Sequence, residues 1–268
     1  LEKEKKGNSD IIEIHNRPNY IKFLNNLQNK KIILYFHNDP LSMNGSKTIN
    51  QRLNIISNVE KVIFVSEWTQ KRFFENIDDK LKTKTEVVYP SVTTKKKLSK
   101  KKNFITFIGK LNRSKGYDLF AKVIVKILDE FPMWEAYSLG DEERRDIYIK
   151  HKNHHELGFL KHKNVLELLD KTSISVVPSR WEEPFGRTAL EASSRGCATI
   201  ISNKGGLPET TNQAIMLKNL NEETLYKQIR YIIKNRKLRE QIQKNSLKNV
   251  QHIISSNTKI IDRLRLES

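Results

Sequence analysis

The sequence predicts an α/β protein of two domains, each built on a parallel sheet. Three observations carry that expectation. Short strand-like runs, such as the continuous apolar Ile32–Phe36 (IILYF) and the β-branched or aromatic-rich Phe104–Ile108 (FITFI) and Ile174–Val177 (ISVV), alternate with stretches of helical character. Runs of this kind suit strands covered on both faces, and their alternation with helices makes a parallel sheet. The pattern breaks at a polar, lysine-rich stretch from Pro90 to Lys102 and then starts afresh, in a chain of 268 residues that has room for two ordinary domains.

Taken in order, Asp10–Ile14 reads as a strand ending in His15-Asn16-Arg17-Pro18, and Tyr20–Leu27 as a helix. The strand Ile32–Phe36 ends in His37-Asn38-Asp39-Pro40. A polar loop with Gly45 leads to a helix near Thr48–Ser57, then to a strand at Val62–Val65. Ser66 and Glu67 open a helix through Phe74, since serine caps a helix start and an acid suits its first turn. Glu86–Tyr89 closes the first half as a short strand. The segment PSVTTKKKLSKKK has six lysines and almost no apolar content, as a charged linker does.

The second half opens with Phe104–Ile108 and a helix that gathers Phe120, Val123, Ile124, Ile127 and Leu128 on one face. Strands follow at Trp134–Leu139, Glu156–Phe159, Ile174–Val177, Ala198–Ile201 and Ala214–Leu217, with helices near Val165–Asp170 and Arg187–Ser194. From Glu222 onward the chain reads as helix. The expected domains are therefore 1–92, a linker at 93–102, a second domain at 103–245, and a C-terminal helix, 246–268, packing back on the first domain.

Composition narrows the function classes. Hydrophobic residues at 37% supply a core, while charged residues at 30% exclude a membrane-embedded protein. No apolar run approaches the roughly 18–20 residues of a spanning helix. The net charge of +18, from 49 Lys+Arg against 31 Asp+Glu, attracts nucleic acid, anionic membranes or phosphate ligands, although a lysine-, isoleucine- and asparagine-rich genome produces the same balance. Cys197 is the only cysteine, which excludes an internal disulfide or a cysteine metal cluster and fits a cytosolic setting. The first ten residues, LEKEKKGNSD, contain neither a Met nor an apolar signal core, so the chain is expected to begin part-way into a longer product.

The stretch Pro178–Glu191, PSRWEEPFGRTALE, follows the strand Ile174–Val177 and runs through a polar loop into a helix opening after Pro184 and Gly186. Strand, loop and helix in this order point free N–H groups and a positive dipole end out of the sheet edge, which suits a phosphate. Glu183 and Glu191 are eight positions apart, too far to share one metal, and suit two parts of a long ligand such as the vicinal diols of a sugar and a ribose. A helix-start charge and a solvated glutamate meet the same spacing.

Two further places carry chemistry. After Phe104–Ile108 comes Gly109-Lys110-Leu111-Asn112-Arg113-Ser114-Lys115-Gly116, a basic loop in which Lys110, Arg113 and Lys115 can converge on an anion, or remain solvated. His37 lies at the carboxyl end of a buried strand, where α/β proteins place ligands, and His15 holds the equivalent end of the preceding strand. His151, His154 and His155 read as an exposed polar segment rather than a zinc site.

Glu183-Pro-Phe-Gly-Arg-Thr-Ala-Leu-Glu191 resembles the E-x7-E signature, with its inner FG, of retaining GT-B glycosyltransferases of family 4. Lys115-Gly116, the strand-end His37 and Gly205-Gly206-Leu207-Pro208-Glu209 match further places in that family's pattern. The resemblance implies a GT-B fold, with two Rossmann-like domains whose parallel sheets face across a cleft. It implies that Glu183 touches the donor sugar and Glu191 the nucleotide ribose, within a donor loop that includes Pro184, Phe185, Gly186 and Arg187. By the same resemblance Lys110 and Lys115 grip the donor diphosphate beside Gly109 and Arg113, His37 stands near the reacting carbon, and Gly158-Phe159-Leu160 meets the base through backbone atoms. His15, Asn16 and Arg17 fall on the acceptor side. Lys110, Lys115, Glu183 and His37 are the residues expected to act in catalysis.

This sequence departs from the pattern in two ways. Lys110 stands where arginine is usual, a point charge in place of a bidentate fork. The first domain offers only about four strands and lacks the family's glycine-rich loop, so it reads as partial.

The function implied is hexosyl transfer, with retention, from a UDP-, GDP- or ADP-sugar to a hydroxyl of an acceptor glycan or glycolipid, as in bacterial surface-glycan or lipopolysaccharide assembly. No cofactor and no metal are expected: no DxD-type acidic pair is positioned to hold a metal–diphosphate complex, Asp78-Asp79 falling in an unrelated loop, and cationic side chains with a helix end can do the leaving-group work. The expected setting is cytoplasmic, peripheral at the inner face of an anionic membrane, with no specific nucleic acid partner. Competing readings are a non-catalytic polyanion-binding protein derived from such a fold, and another GT-B enzyme such as a phosphorylase or epimerase.

Overall fold

The computed structural model describes residues 10–24, 30–143 and 146–267; of the last helix, the side chains of 252–256, 258 and 265–267 lie outside that description. The N-terminal segment 1–9 and the end of the helix expected at Tyr20–Leu27 also fall outside it. The chain divides into two compact units, one of residues 1–91 with 255–268 and one of residues 92–254.

The first unit is a four-stranded parallel sheet in sequential order, β1 (Ile11–His15), β2 (Lys31–Phe36), β3 (Lys61–Phe64) and β4 (Thr85–Val87). Its helices are α1 (Ile21–Leu24), α2 (Ile49–Asn58) and α3 (Glu67–Phe73). Capping fixes where two of them begin: Thr48 with Gln51, and Ser66 with Thr69, each make reciprocal capping boxes. The unbroken apolar character of β2 has a simple cause. Ile32, Leu34 and Phe36 pack on one side with Ile55, Phe64 and Phe73, while Ile33 and Tyr35 pack on the other with Ile63, Val88 and Leu264. Leu264 comes from the last helix, whose final turns belong to this unit.

The second unit holds six parallel strands: β5 (Phe104–Ile108), β6 (Glu135–Leu139), β7 (His154–Gly158), β8 (Ile174–Val177), β9 (Ala198–Ser202) and β10 (Ile215–Leu217). Their spatial order is β10-β9-β8-β5-β6-β7. From β5 the chain winds outward through β6 and β7, then returns to the other side of β5 and winds outward through β8, β9 and β10. This is the doubly wound Rossmann order, and its topological switch point lies between β5 and β8. The helices are α4 (Tyr117–Glu130), α5 (His162–Lys171), α6 (Arg187–Ser194), α7 (Glu222–Lys234) and the first part of α8 (Arg236–Glu267), up to residue 254. Phe120, Val123, Ile124 and Ile127 of α4 are fully buried with Ile229 and Ile232 of α7.

The lysine-rich segment 93–102 is packed on this second unit. Lys101 Nζ donates to the carbonyls of Leu169 and Arg195 at 3.0 and 2.6 Å, and Lys95 pairs with Asp170 at 2.6 Å. Burial lowers the Lys101 pKa below its ordinary range. The histidines before Glu156 also differ from the sequence expectation. His154 and His155 are strand residues of β7, where His154 is within 2.9 Å of Ser138 Oγ and His155 within 3.1 Å of Glu135, while His151 faces Asp129. An edge strand carrying polar side chains lacks the apolar run that marks its neighbours, which is why the sequence places it two residues late.

Candidate functional site

Two loops leave the carboxyl edge of the second sheet at its switch point: one follows β5 from Gly109, the other follows β8 from Pro178. They are stitched together. The N–H groups of Arg180 and Trp181 both donate to the Ser114 carbonyl, at 2.9 and 3.0 Å. The Arg180 guanidinium makes two bonds to the Asp118 carboxylate, at 2.5 and 3.0 Å, and a third to the Arg113 carbonyl at 2.7 Å. Gly116 begins α4 at φ +75°, and a Cβ there would lie 2.0 Å from the Pro178 carbonyl oxygen, so only glycine permits this approach.

The stitching sets Lys115 against Glu183. Lys115 Nζ lies 2.6 Å from Glu183 Oε1, in a cavity of about 70 Å³ lined by Gly109, Ser179, Gly186, Arg187 and Thr188. Gly186 caps α6 in a left-handed conformation without a side-chain cap, and Pro184 and Phe185 precede the helix rather than open it. Phe185 is buried and anchors the loop. The N–H groups of Arg187 and Thr188 receive no partner from the described residues. The Lys115 ammonium, two unspent N–H donors and the positive end of a helix thus share one small space, an arrangement that suits an anion.

The double glycine after β9 supports the loop that carries Glu183. Gly205 approaches that loop closely, with a Cβ on it lying 2.1 Å from the Glu183 carbonyl oxygen. Gly205 N–H donates to Glu182 Oε2 at 2.6 Å and Gly206 N–H to the Glu183 carbonyl at 2.7 Å.

Glu191 sits deeper along α6 and is only 9% exposed. Its Oε1 is 3.2 Å from His162 Nε2 and 3.4 Å from Arg187 Nη2. The remaining predicted residues of this unit are dispersed around the cavity. Lys110 is exposed beside Asp141, Glu142 and Glu143, outside the Lys115 cavity. Arg113 is turned to Asp146 at 2.8 Å, which raises the guanidinium pKa and lowers that of the carboxyl through their hydrogen bond and charge. Gly158 ends β7 with its carbonyl bonded to Gly140 N–H at 2.9 Å; Phe159 is 79% exposed and Leu160 packs inward toward Leu139 and Leu169.

In the first unit the predicted residues form a separate group. His15 Nδ1 and His37 Nε2 are 2.9 Å apart, and His15 stacks on Tyr35 with ring centroids 4.3 Å apart. Asn16, at φ +54°, accepts the His37 N–H on Oδ1 at 2.8 Å, and its own carbonyl accepts from Arg17. His15 and Arg17 line a cavity of about 630 Å³ with Glu13, Tyr20 and Phe23. Sequence reasoning overlooked Arg180, Asp118 and His162. The first two are 62 positions apart and carry no joint signal; His162 could have been noticed from its place just after the Gly158–Leu160 turn.

Among the described residues no group of three metal-ligating side chains gathers, and no helix is long and apolar enough to cross a membrane. The family model described as glycosyl transferases group 1 matches residues 91–249, more than half of the chain. The chain belongs to the glycosyl transferases group 1 family.

Among curated relatives, it is 24% identical to spore coat protein SA of Bacillus subtilis (strain 168) over 245 residues, covering 78% of this chain and 64% of that protein. It is 24% identical to the putative glycosyltransferase YtcC of the same organism over 283 residues, covering 92% of this chain and 69% of that one. The chain thus spans about two thirds of the length of these two family relatives. Among solved structures, a glycosyltransferase from Rickettsia africae ESF-5 superposes with a TM-score of 0.78 at 22% identity, covering 100% of this chain and 80% of that one. Anabaena HepE in complex with UDP superposes with a TM-score of 0.77 at 18% identity, covering 96% and 78%. The shared fold is the two-sheet α/β architecture of GT-B glycosyltransferases.

Proposed function

We propose that this chain transfers a sugar from a nucleotide-activated donor to an acceptor hydroxyl with retention at the anomeric carbon. The observation that carries this reading is the Lys115–Glu183 pair, 2.6 Å apart, set before the unspent N–H groups of Arg187 and Thr188. In the free protein the Glu183 carboxylate occupies the place of an anion on Lys115. An entering diphosphate takes over Lys115 and the helix end, which releases Glu183 to accept hydroxyls of the donor sugar. Glu191, behind it on the same helix, takes the ribose.

As the bond between sugar and diphosphate breaks, negative charge grows on the leaving phosphate. Lys115 and the α6 N-terminus stabilise that charge in place, with Lys110 approaching from the loop after β5. The sugar gains oxocarbenium character, and the acceptor attacks on the face the phosphate leaves, giving its proton to that phosphate. In this reading His37 stands near the reacting carbon and His15 on the acceptor side. Anabaena HepE solved with UDP and with UDP-glucose supports a uridine nucleotide as the first donor to try. The likeness to spore coat protein SA supports a role in building a bacterial surface.

A thermal-shift screen with UDP-, GDP- and ADP-sugars tests the donor. A ligand at a hundred times its Kd stabilises the native state by about 2.7 kcal/mol, and one donor is expected to raise Tm accordingly. No shift with any of the three sinks the reading.

A further inference from the structure

We propose that His162 is a positioning residue that fixes the Glu191 carboxylate for ribose recognition, an inference that rests on the donor site described above. Glu191 is largely buried, yet its two oxygens are unequal. Oε1 faces His162 Nε2 at 3.2 Å and Arg187 Nη2 at 3.4 Å, whereas Oε2 makes no hydrogen bond among the described residues. Saturating one oxygen turns the other, with both its lone pairs, toward an incoming hydroxyl.

The two holders differ in what else they can do. Both side chains are mostly exposed, but Arg187 reaches back along its own helix and lines the cavity that contains Lys115 and Glu183. A diphosphate in that cavity competes for the Arg187 guanidinium. His162 does not line that cavity. It is the first residue of α5, on an element separate from Glu191, so it keeps its grip on Oε1 when Arg187 is drawn away. In this arrangement His162 Nε2 is the donor to Glu191 Oε1. The turn Gly158–Leu160 leads directly into this histidine, so the segment expected at the base also orients the group expected at the ribose.

The test compares whichever of UDP, GDP and ADP binds most tightly with its 2′-deoxy counterpart by calorimetry, using inorganic pyrophosphate as control. Wild type is expected to prefer the ribonucleotide by about tenfold, the scale of one hydrogen bond to a charged group. His162→Ala should reduce the preference to within about twofold while leaving pyrophosphate affinity unchanged. His162→Gln, whose amide can donate to the same oxygen, should restore it. Retained ribose preference in His162→Ala, or parallel loss of pyrophosphate binding, overturns the positioning role. Failure of wild type to bind any of the three nucleotides, or pyrophosphate, removes the donor site itself.

Discussion

Gly205 lies so close to Glu183 that a Cβ on the glycine would stand 2.1 Å from the Glu183 carbonyl oxygen. The double glycine is therefore the mould in which the Glu183 loop is set, and Gly206 completes it with a backbone bond to the same oxygen at 2.7 Å. At φ +58° Gly205 also occupies left-handed backbone that side chains disfavour. Gly205→Ala should cost roughly 1–3 kcal/mol of stability and displace Glu183 from Lys115. Calorimetric unfolding together with donor affinity checks both effects; an unchanged Tm with unchanged affinity would show that the loop is shaped by something else.

Lys115 and Glu183 should respond differently to removal. Lys115→Ala takes away the group set to meet charge on the leaving phosphate, and turnover should fall by roughly 10²–10³. Near-normal turnover would take Lys115 out of the reaction.

Glu183→Gln removes the carboxylate that competes with phosphate for Lys115. Affinity for a bare nucleoside diphosphate should hold or rise, while the added affinity contributed by the sugar should drop by about tenfold. Titrating UDP and UDP-glucose into both proteins separates these effects, and equal weakening of the two ligands would argue against contact between Glu183 and the sugar.

Acid should destabilise the edge of the second sheet through His154. Burial pulls its imidazole pKa below the usual value, helped by the nearby positive forms of His155 and His151 and opposed by Glu156. The unfolded chain then binds the proton more readily than the folded one. Stability contributed by the neutral ring is present above about pH 6.5, falls as pH drops below that value, and levels off below the lowered folded pKa. His154→Gln keeps a polar partner for Ser138 and should flatten that acid limb in denaturant titrations between about pH 7 and 5. An unchanged pH dependence would place the acid sensitivity elsewhere.

Much of this fold is legible in the sequence for a physical reason. Strands covered on both faces, such as Ile32–Phe36 and Ile174–Val177, are largely apolar along their whole length and so announce themselves. The edge strand His154–Gly158 has no such requirement, and its histidines conceal it. The E-x7-E segment is equally legible because strand, loop and helix are local. What holds it in place is not local: Lys115 meets Glu183 across 68 positions, and His162 meets Glu191 across 29. No spacing rule joins such pairs, since the sheet order decides which loops meet. The lysine-rich segment shows the converse limit, because Lys101 reads as linker charge until the carbonyls of Leu169 and Arg195 are seen to receive it.

The claim that the α6 N-terminus and Lys115 together hold a diphosphate is tested most directly by a crystal structure of the protein with UDP. The expected density places phosphate oxygens within about 3 Å of Lys115 Nζ and of the Arg187 and Thr188 N–H groups, with Glu183 turned away from the lysine. Nucleotide bound elsewhere, with the Lys115–Glu183 pair intact, would contradict it.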